Sequence, residues 1–292
     1  MQKEEIAYSF IIPHHNSPQL LERCLNSIPQ REDIEIIVVD DNSDADKKAH
    51  SDRSDVRIIY IDAEHTKGAG RARNYGMKEA VGRWLLFADC DDFYEKDFLN
   101  ELDKYRESDY DIVFFDAYIQ YDVETHTHRQ NEYTKLIENY LSNPNSEYNL
   151  KMLKHENNAT WRRMYSRSFI TRIGVQYEEI PACNDGWFVQ YASSRTNHIA
   201  AIPKKLYYYV KTPNSIVNGF HSKEIELQRL EAGFRIHHLL VKENAICAIP
   251  RFLRDTQMRV KRYGVFFALY CLMKKLIEDV SPIKLAWYGR KH

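Results

Sequence analysis

The segment 84-WLLFADCDDFYEKDFL-99 puts three carboxylates, Asp89, Asp91 and Asp92, within four positions, directly after an apolar run with the composition of a buried strand. Like charges this close repel. If they share one site, repulsion and desolvation raise their proton affinity unless a cation holds them together. Any chemistry here is therefore that of crowded acids and the ion they could seat. The bland reading is a solvated acidic turn capping a helix near Lys96.

The elements that must position these acids can be read from the same half of the chain. Strand-like runs occur at 8-YSFIIP-13, 34-IEIIVVDD-41, 56-VRIIYID-62, 84-WLLFAD-89 and 111-DIVFFDAYI-119. Most are β-branched or aromatic and apolar on both faces, the pattern of a mostly parallel sheet covered on both sides. Between them lie helix candidates at 18–28, with Ser17 as N-cap and Pro18 in first position, at 69–81 and at 96–106. Such a β-α-β series predicts an α/β fold whose ligands sit at the carboxyl ends of the strands. Three polar insertions fall at those ends: Pro13-His14-His15-Asn16, Asp40-Asp41-Asn42-Ser43 and the acidic cluster. No dinucleotide fingerprint or P-loop is present, and Gly68-Ala69-Gly70 alone reads as a turn into a helix.

Composition narrows the function class. The chain has 292 residues, 43% hydrophobic and 28% charged, enough for one large core or two fused smaller ones. A net charge of −1 argues against a general nucleic-acid binder. Five cysteines without a C-x-x-C pair fit neither a disulfide framework nor a zinc site, so reducing cytoplasm is expected. The N-terminus MQKEEIAYSFIIP has acids where a signal peptide needs a basic flank, and 263-YGVFFALYCLM-273 has about half of the roughly 20 residues that span a bilayer.

The segments SFIIPHHN, IIVVDDNSD and KGAGRARNYGMKEAVGRWLLFADCDDFY, with the later PACNDGWF, resemble glycosyltransferase family 2, the inverting nucleotide-sugar enzymes of the GT-A fold. The resemblance spans roughly residues 7–220, with four motifs in order. It implies a DxD motif at Asp89 and Asp91, where Mg2+ or Mn2+ would accept carboxylate and diphosphate oxygens. It implies nucleotide-sugar contacts at Pro13, His15, Asn16, Asp41, Lys67, Arg73, Asp89 and Cys90, with Asp41 accepting from a uracil or thymine imide and Arg71 as a further phosphate cation. Asp40 reads as a loop orienter. The double histidine departs from the family's usual small-then-aromatic turn, which leaves His15 either stacking on the base or simply exposed. The base for an inverting displacement falls at Asp185, although Asn184 stands where relatives carry an acid. As the alternative, Asn184 caps a helix and Asp185 is a first-turn acid. Trp161-Arg162-Arg163 resembles a W-N-K stretch near the acceptor, and His221 is a candidate third metal ligand.

The expected organisation is a nucleotide-sugar-binding half at 1–120, an acceptor and catalytic-base half of the same domain at 121–223, and a helical extension at 224–292. Residues 251–292 hold ten Lys or Arg against three Asp or Glu among bulky apolar residues. That segment reads as an amphipathic surface for anionic membrane, on the inner face of the plasma membrane, or as a lid or homodimer face. The expected reaction is transfer of a sugar from a UDP-sugar to a hydroxyl of a glycan or lipid-linked saccharide in bacterial surface polysaccharide assembly. The rivals are a sugar nucleotidylyltransferase, which should carry a glycine-rich loop after the first strand, and an inactive glycan-binding protein.

Overall fold

A computed structural model describes residues 5–62, 68–120, 132–211, 222–245 and 259–280. The first half runs β1 (Tyr8–His14), α1 (Pro18–Asn26), β2 (Ile34–Asp41), β3 (Val56–Ile61), α2 (Ala69–Glu79), β4 (Trp84–Phe87), β5 (Phe93–Tyr94), α3 (Phe98–Leu102) and β6 (Ile112–Gln120). The second half contributes α4 (Glu132–Ser142), α5 (Glu147–His155), β7 (Arg163–Ser166), α6 (Arg167–Ile173), α7 (Asp185–Ser194), β8 (Ile199–Val210), α8 (Lys223–Lys242) and α9 (Val265–Val280).

All eight strands belong to one sheet in the order β3-β2-β1-β4-β7-β6-β8-β5. The four strands β3, β2, β1 and β4 are parallel, as their two-sided apolar character predicts. Beyond β4 the sheet becomes mixed, because β7 pairs antiparallel with both β4 and β6, and β5 antiparallel with β8. Alternate residues feed two cores. Phe10, Ile12, Ile36, Val38 and Leu86 pack on the side of α1, while Ile11, Ile37, Val39, Leu85 and Phe87 pack with Ala72 of α2 and Phe188 and Val189 of α7.

Three local features differ from the sequence expectation. Ser17 stands at the N-cap position of α1, but its hydroxyl donates to the His15 carbonyl (3.1 Å) and does not cap the helix. The helix expected over 96–106 shortens to α3 and a 3-10 turn at Asp103–Tyr105, where Asp103 is engaged by Arg31 (2.7 Å) and Arg106 by Asp33 (2.7 Å). The short strands β5 and β7 went unread as strands. β7 carries the charged Arg163 at its start and is defined by the ladders on either side of it rather than by its own residues.

Helix α2 lies directly on β1. A Cβ added at Gly76 would stand 2.4 Å from Cγ2 of Ile11. Ordinarily Gly→Ala inside a helix stabilises by about 1 kcal/mol. Here overpacking reverses the sign, at a cost of about 1–3 kcal/mol. Gly76→Ala is expected to lower Tm by about 2–10 °C. Gly233→Ala in α8, where nothing lies within 4 Å, is expected to raise it. Differential scanning fluorimetry distinguishes these, and a rise for Gly76→Ala would contradict the contact.

Candidate active site

The ends of β1 and β2 are bound to each other through polar side chains. His14 is buried with Nδ1 3.1 Å from Asp40 Oδ2, and its Nε2 accepts the Ser17 backbone N–H at 3.2 Å. This fixes a neutral ring whose Nδ1–H donates to Asp40. Burial pushes its pKa down, and Asp40 offsets only part of that. Asp40 also accepts the N–H groups of Ser43 (2.8 Å) and Ala49 (2.7 Å). Burial pushes the Asp40 carboxyl up, but those two backbone donors together with the Ser43 hydroxyl and His14 hold the group below its ordinary range. Asp40 is thus the orienter of the β2 loop. Asn16, at φ 53°, clasps the two loops: its Oδ1 accepts from Asp44 N–H (2.8 Å) and its backbone N–H donates to Ser43 Oγ (2.9 Å).

Asp41 and His15 face differently. The Asp41 carboxylate is buried, with Oδ2 taking the Gly68 N–H at 2.6 Å, while Oδ1 has no hydrogen-bond partner among the described residues. A buried, unused acceptor of this kind is costly unless a ligand donor completes it. The ring of His15 is exposed and anchored through Nδ1 to the Asp41 carbonyl (2.9 Å). Pro13 is buried in β1, opposite Val39.

At the end of β4, Asp89, Asp91 and Asp92 each bring a carboxylate oxygen within 4.8 Å of the others. They do not cap α3, whose N-cap is Asp97 beyond β5, so the acidic-cap reading does not hold. Asp92 is fully buried, with Oδ1 on the Val210 N–H (2.7 Å) and Oδ2 unpartnered among the described residues. Burial and then its two neighbours push its carboxyl far up. Burial, then Asp89, pushes the Asp91 carboxyl up from an ordinary 3.8 to about 6. Two arginines offset the excess charge: Arg73 Nη2 bonds the Asp89 carboxylate, and Arg23 bonds the Asp91 carbonyl while lying 5.2 Å from the Phe93 ring centroid. Half-buried Cys90 meets the His15 backbone, and burial, then Asp91, raises its thiol pKa. All-oxygen donors, crowded and deficient in positive charge, fit a hard divalent cation.

Residues 175–184 form an irregular loop that brings Asp185, the first residue of α7, to this cluster. The loop takes its shape from α2. Asn74 accepts the Tyr177 N–H (2.8 Å) and donates to its carbonyl (3.0 Å), imitating a strand pairing. Gly70 lets the Glu178 carbonyl approach so closely that a Cβ would stand 2.2 Å from it. Arg73 Nη1 donates to Asn184 Oδ1 at 2.9 Å, so one buried guanidinium joins Asp89 to the residue before Asp185. Asn184 stands at the N-cap position of α7 without a side-chain capping bond, and Asp185 is the acid of its first turn. The Asp185 carboxyl is pushed up by burial, pulled down by Arg73 and raised again by Asp89. Helix α7 is fixed behind it by the Tyr177–Phe188 stack (4.0 Å, 10°) and by Gln190, which donates to the His155 carbonyl (2.9 Å) and accepts from its ring Nδ1 (2.7 Å).

Other expected residues lie apart. Arg71 donates to the Asp62 carbonyl (3.0 Å). Arg162 pairs with buried Asp116 (3.1 Å), and Arg163 donates to the Asn157 carbonyl (2.8 Å). Lys67 and His221 lie outside the described residues. Sequence reading missed Arg23, Asn74 and Glu178. Asn74, next to Arg73 in the motif, carried a usable signal, whereas Arg23 and Glu178 resembled solvated charges.

The sequence profile described as glycosyl transferase family 2 matches residues 9–174. Among curated proteins, the uncharacterized glycosyltransferase EpsJ of Bacillus subtilis is 29% identical over 219 residues, covering 71% of this chain and 62% of EpsJ. The putative glycosyltransferase EpsH of the same organism is 25% identical, covering 76% of this chain and 66% of EpsH. This chain thus spans just under two thirds of either relative. Among solved structures, Staphylococcus aureus TarS 1-349 in complex with UDP-GlcNAc superposes with a TM-score of 0.60 at 19% identity, over 86% of this chain and 70% of that one. The fold is therefore GT-A, and since the profile covers more than half of its length, this chain belongs to glycosyl transferase family 2.

Proposed function

We propose that this protein is an inverting glycosyltransferase that moves a sugar from a UDP-sugar to a hydroxyl of a glycan or lipid-linked saccharide in polysaccharide assembly. The observation that carries the reading is the bridge from Asp89 through Arg73 to Asn184, which unites an acidic cation seat and a carboxylate base in one site. The open Oδ1 of Asp41 matches the imide N–H of uracil. TarS, whose fold this chain shares, has been crystallised with UDP and with UDP-GlcNAc.

Asp89 and Asp91 would hold Mg2+ or Mn2+, which supplies positive charge to the departing diphosphate. Asp185 takes the acceptor hydroxyl proton as its oxygen attacks the anomeric carbon opposite the leaving group. Burial shifts its carboxyl upward, which makes it a stronger base than an exposed aspartate. The nucleotidylyltransferase reading fits less well, because the turn after β1 is filled by His14 and its bonds rather than open as a glycine cradle. An inactive glycan binder would leave the strained acidic cluster without a purpose.

Helix α9 supports a membrane-facing role for the extension. Ala268 and Cys271 are buried and Phe267 packs toward Leu230 and Phe234 of α8, whereas Val265, Phe266 (90% exposed), Leu269, Tyr270 and Met273 face outward. With the cationic excess of residues 251–292, this stripe suits anionic lipid. No helix among the described residues is long and apolar enough to cross a membrane.

Three outcomes test these assignments. Asp185→Asn should cut kcat by about 100-fold or more with UDP affinity unchanged. The acid limb of the wild-type kcat profile should lie above the ordinary carboxylate range, activity falling with pH as the base is protonated. Weakened UDP binding would make Asp185 a donor-site residue instead.

Protons compete with the cation at Asp91, so calorimetric Mn2+ affinity should be level above pH about 6 and weaken below it. Without cation the folded state holds that proton between pH 3.8 and about 6, so stability falls as pH rises through this window. Asp91→Asn should raise Tm at neutral pH without cation and abolish both Mn2+ binding and transfer. Full activity in EDTA would refute the metal assignment.

Anionic vesicles should sediment the protein, neutral vesicles should not, and Phe266→Glu with Leu269→Glu or added salt should release it. If those substitutions instead dissolve a dimer and leave sedimentation unchanged, the face is a homodimer contact.

A further inference from the structure

We infer that Glu178 is a positioning residue for the Asp185 turn, and that helix α8 completes the active site by supplying Arg235 as its partner. This rests on the assignment of Asp185 as base. Glu178 is tied to three elements through three different groups. Its backbone N–H donates to the Asn184 carbonyl (3.2 Å), immediately before Asp185. Its carbonyl seats against Gly70 of α2, where a Cβ would lie 2.2 Å away. Its Oε1 accepts from Arg235 Nε (2.8 Å) and from Nη2.

The loop needs such a fixture. Residues 175–184 have no regular structure to hold them, and Cys183 adopts φ 61°, a conformation that non-glycine residues adopt only when their surroundings impose it. The next residue of α8 reinforces the contact: Ile236 Cδ1 comes within 2.7 Å of where a Gly186 Cβ would be, one residue beyond Asp185. The base-bearing turn is therefore gripped between α2, which also carries Arg73 to the acidic cluster, and α8. Two guanidinium nitrogens converge on Oε1, while Oε2 is buried without a partner among the described residues, so the charge-assisted contact anchors this carboxylate at one oxygen. General-base catalysis is sensitive to errors of about 1 Å in placement. A loosened turn should thus lose turnover and keep donor binding.

The test uses the full chain, with UDP release from UDP-GlcNAc and UDP-glucose in Mn2+, UDP affinity by calorimetry and amide hydrogen exchange over residues 177–188. Glu178→Gln and Arg235→Gln are each expected to lower kcat about tenfold with UDP Kd unchanged and to speed exchange at 183–187. The double variant should be no worse than either single one. Exchanging the charges (Glu178→Arg with Arg235→Glu) should recover part of the loss. Unchanged exchange in the single variants, or faster exchange with unaltered kcat, overturns the inference, as does an additive double variant. A fully active Asp185→Asn would instead refute the base assignment, and the exchange data would still decide whether α8 fixes the turn. Exchange likewise decides if neither donor is turned over.

Discussion

Three carboxylates whose oxygens lie within 4.8 Å of one another at the end of β4 impose a charge-balance requirement that much of the surrounding structure answers. Asp92 is withdrawn from solvent onto the Val210 amide, which ties the turn to β8 at the far side of the sheet. Asp89 is met by Arg73, a side chain that could not itself be buried in α2 without that anion and the Asn184 amide oxygen. Asp91 is half-buried, its backbone held by Arg23 and its carboxyl pushed up to about 6. The site is thus preset for positive charge, and strand, helix and loop hold fixed relative positions because each supplies part of the balance.

The segment Gly68-Ala69-Gly70-Arg71-Ala72-Arg73-Asn74 shows how one short motif serves both halves of the site. Its glycines suggest a phosphate loop, yet the carbonyls of Glu178 and Ile180 are what lie against Gly70 and Gly68. Asn74 pairs with the Tyr177 backbone and Arg73 reaches Asn184, while the Gly68 N–H goes back to Asp41 at the end of β2. Close backbone packing is the reason for the glycines here. The ends of β2 and β4 and the turn that carries Asp185 meet across a single helix.

The family profile ends at residue 174, one residue before the loop that leads to Asp185. The matched part contains the sheet ends, the acidic cluster and α2. What lies beyond it is the loop, α7, β8 and the α8–α9 pair. Packing of α9 on Leu230 and Phe234 of α8, and of α8 on the turn before α7, makes the extension continuous with the active site rather than a detached appendage.

From the sequence alone, the parallel strands β1 to β4, the helices between them and the three polar insertions at their ends were legible, because two-sided apolar runs have one stable environment and polar residues at their termini have one common face. Asp89 and Asp91 were legible as chemical candidates because crowded acids at a strand end carry a signal, whereas Asp185 was singled out through the resemblance to the family. Other features were settled only in three dimensions. β7 exists because two neighbours supply its hydrogen bonds, and α3 gives way to a 3-10 turn whose Asp103 joins an ion pair with distant Arg31. Glu178 and Arg235, 57 residues apart, look like two solvated charges until the fold joins them. Local periodicity reports which face of an element is buried. Partners brought together by chain crossings, and the charge balance they create, depend on distances that no local pattern encodes.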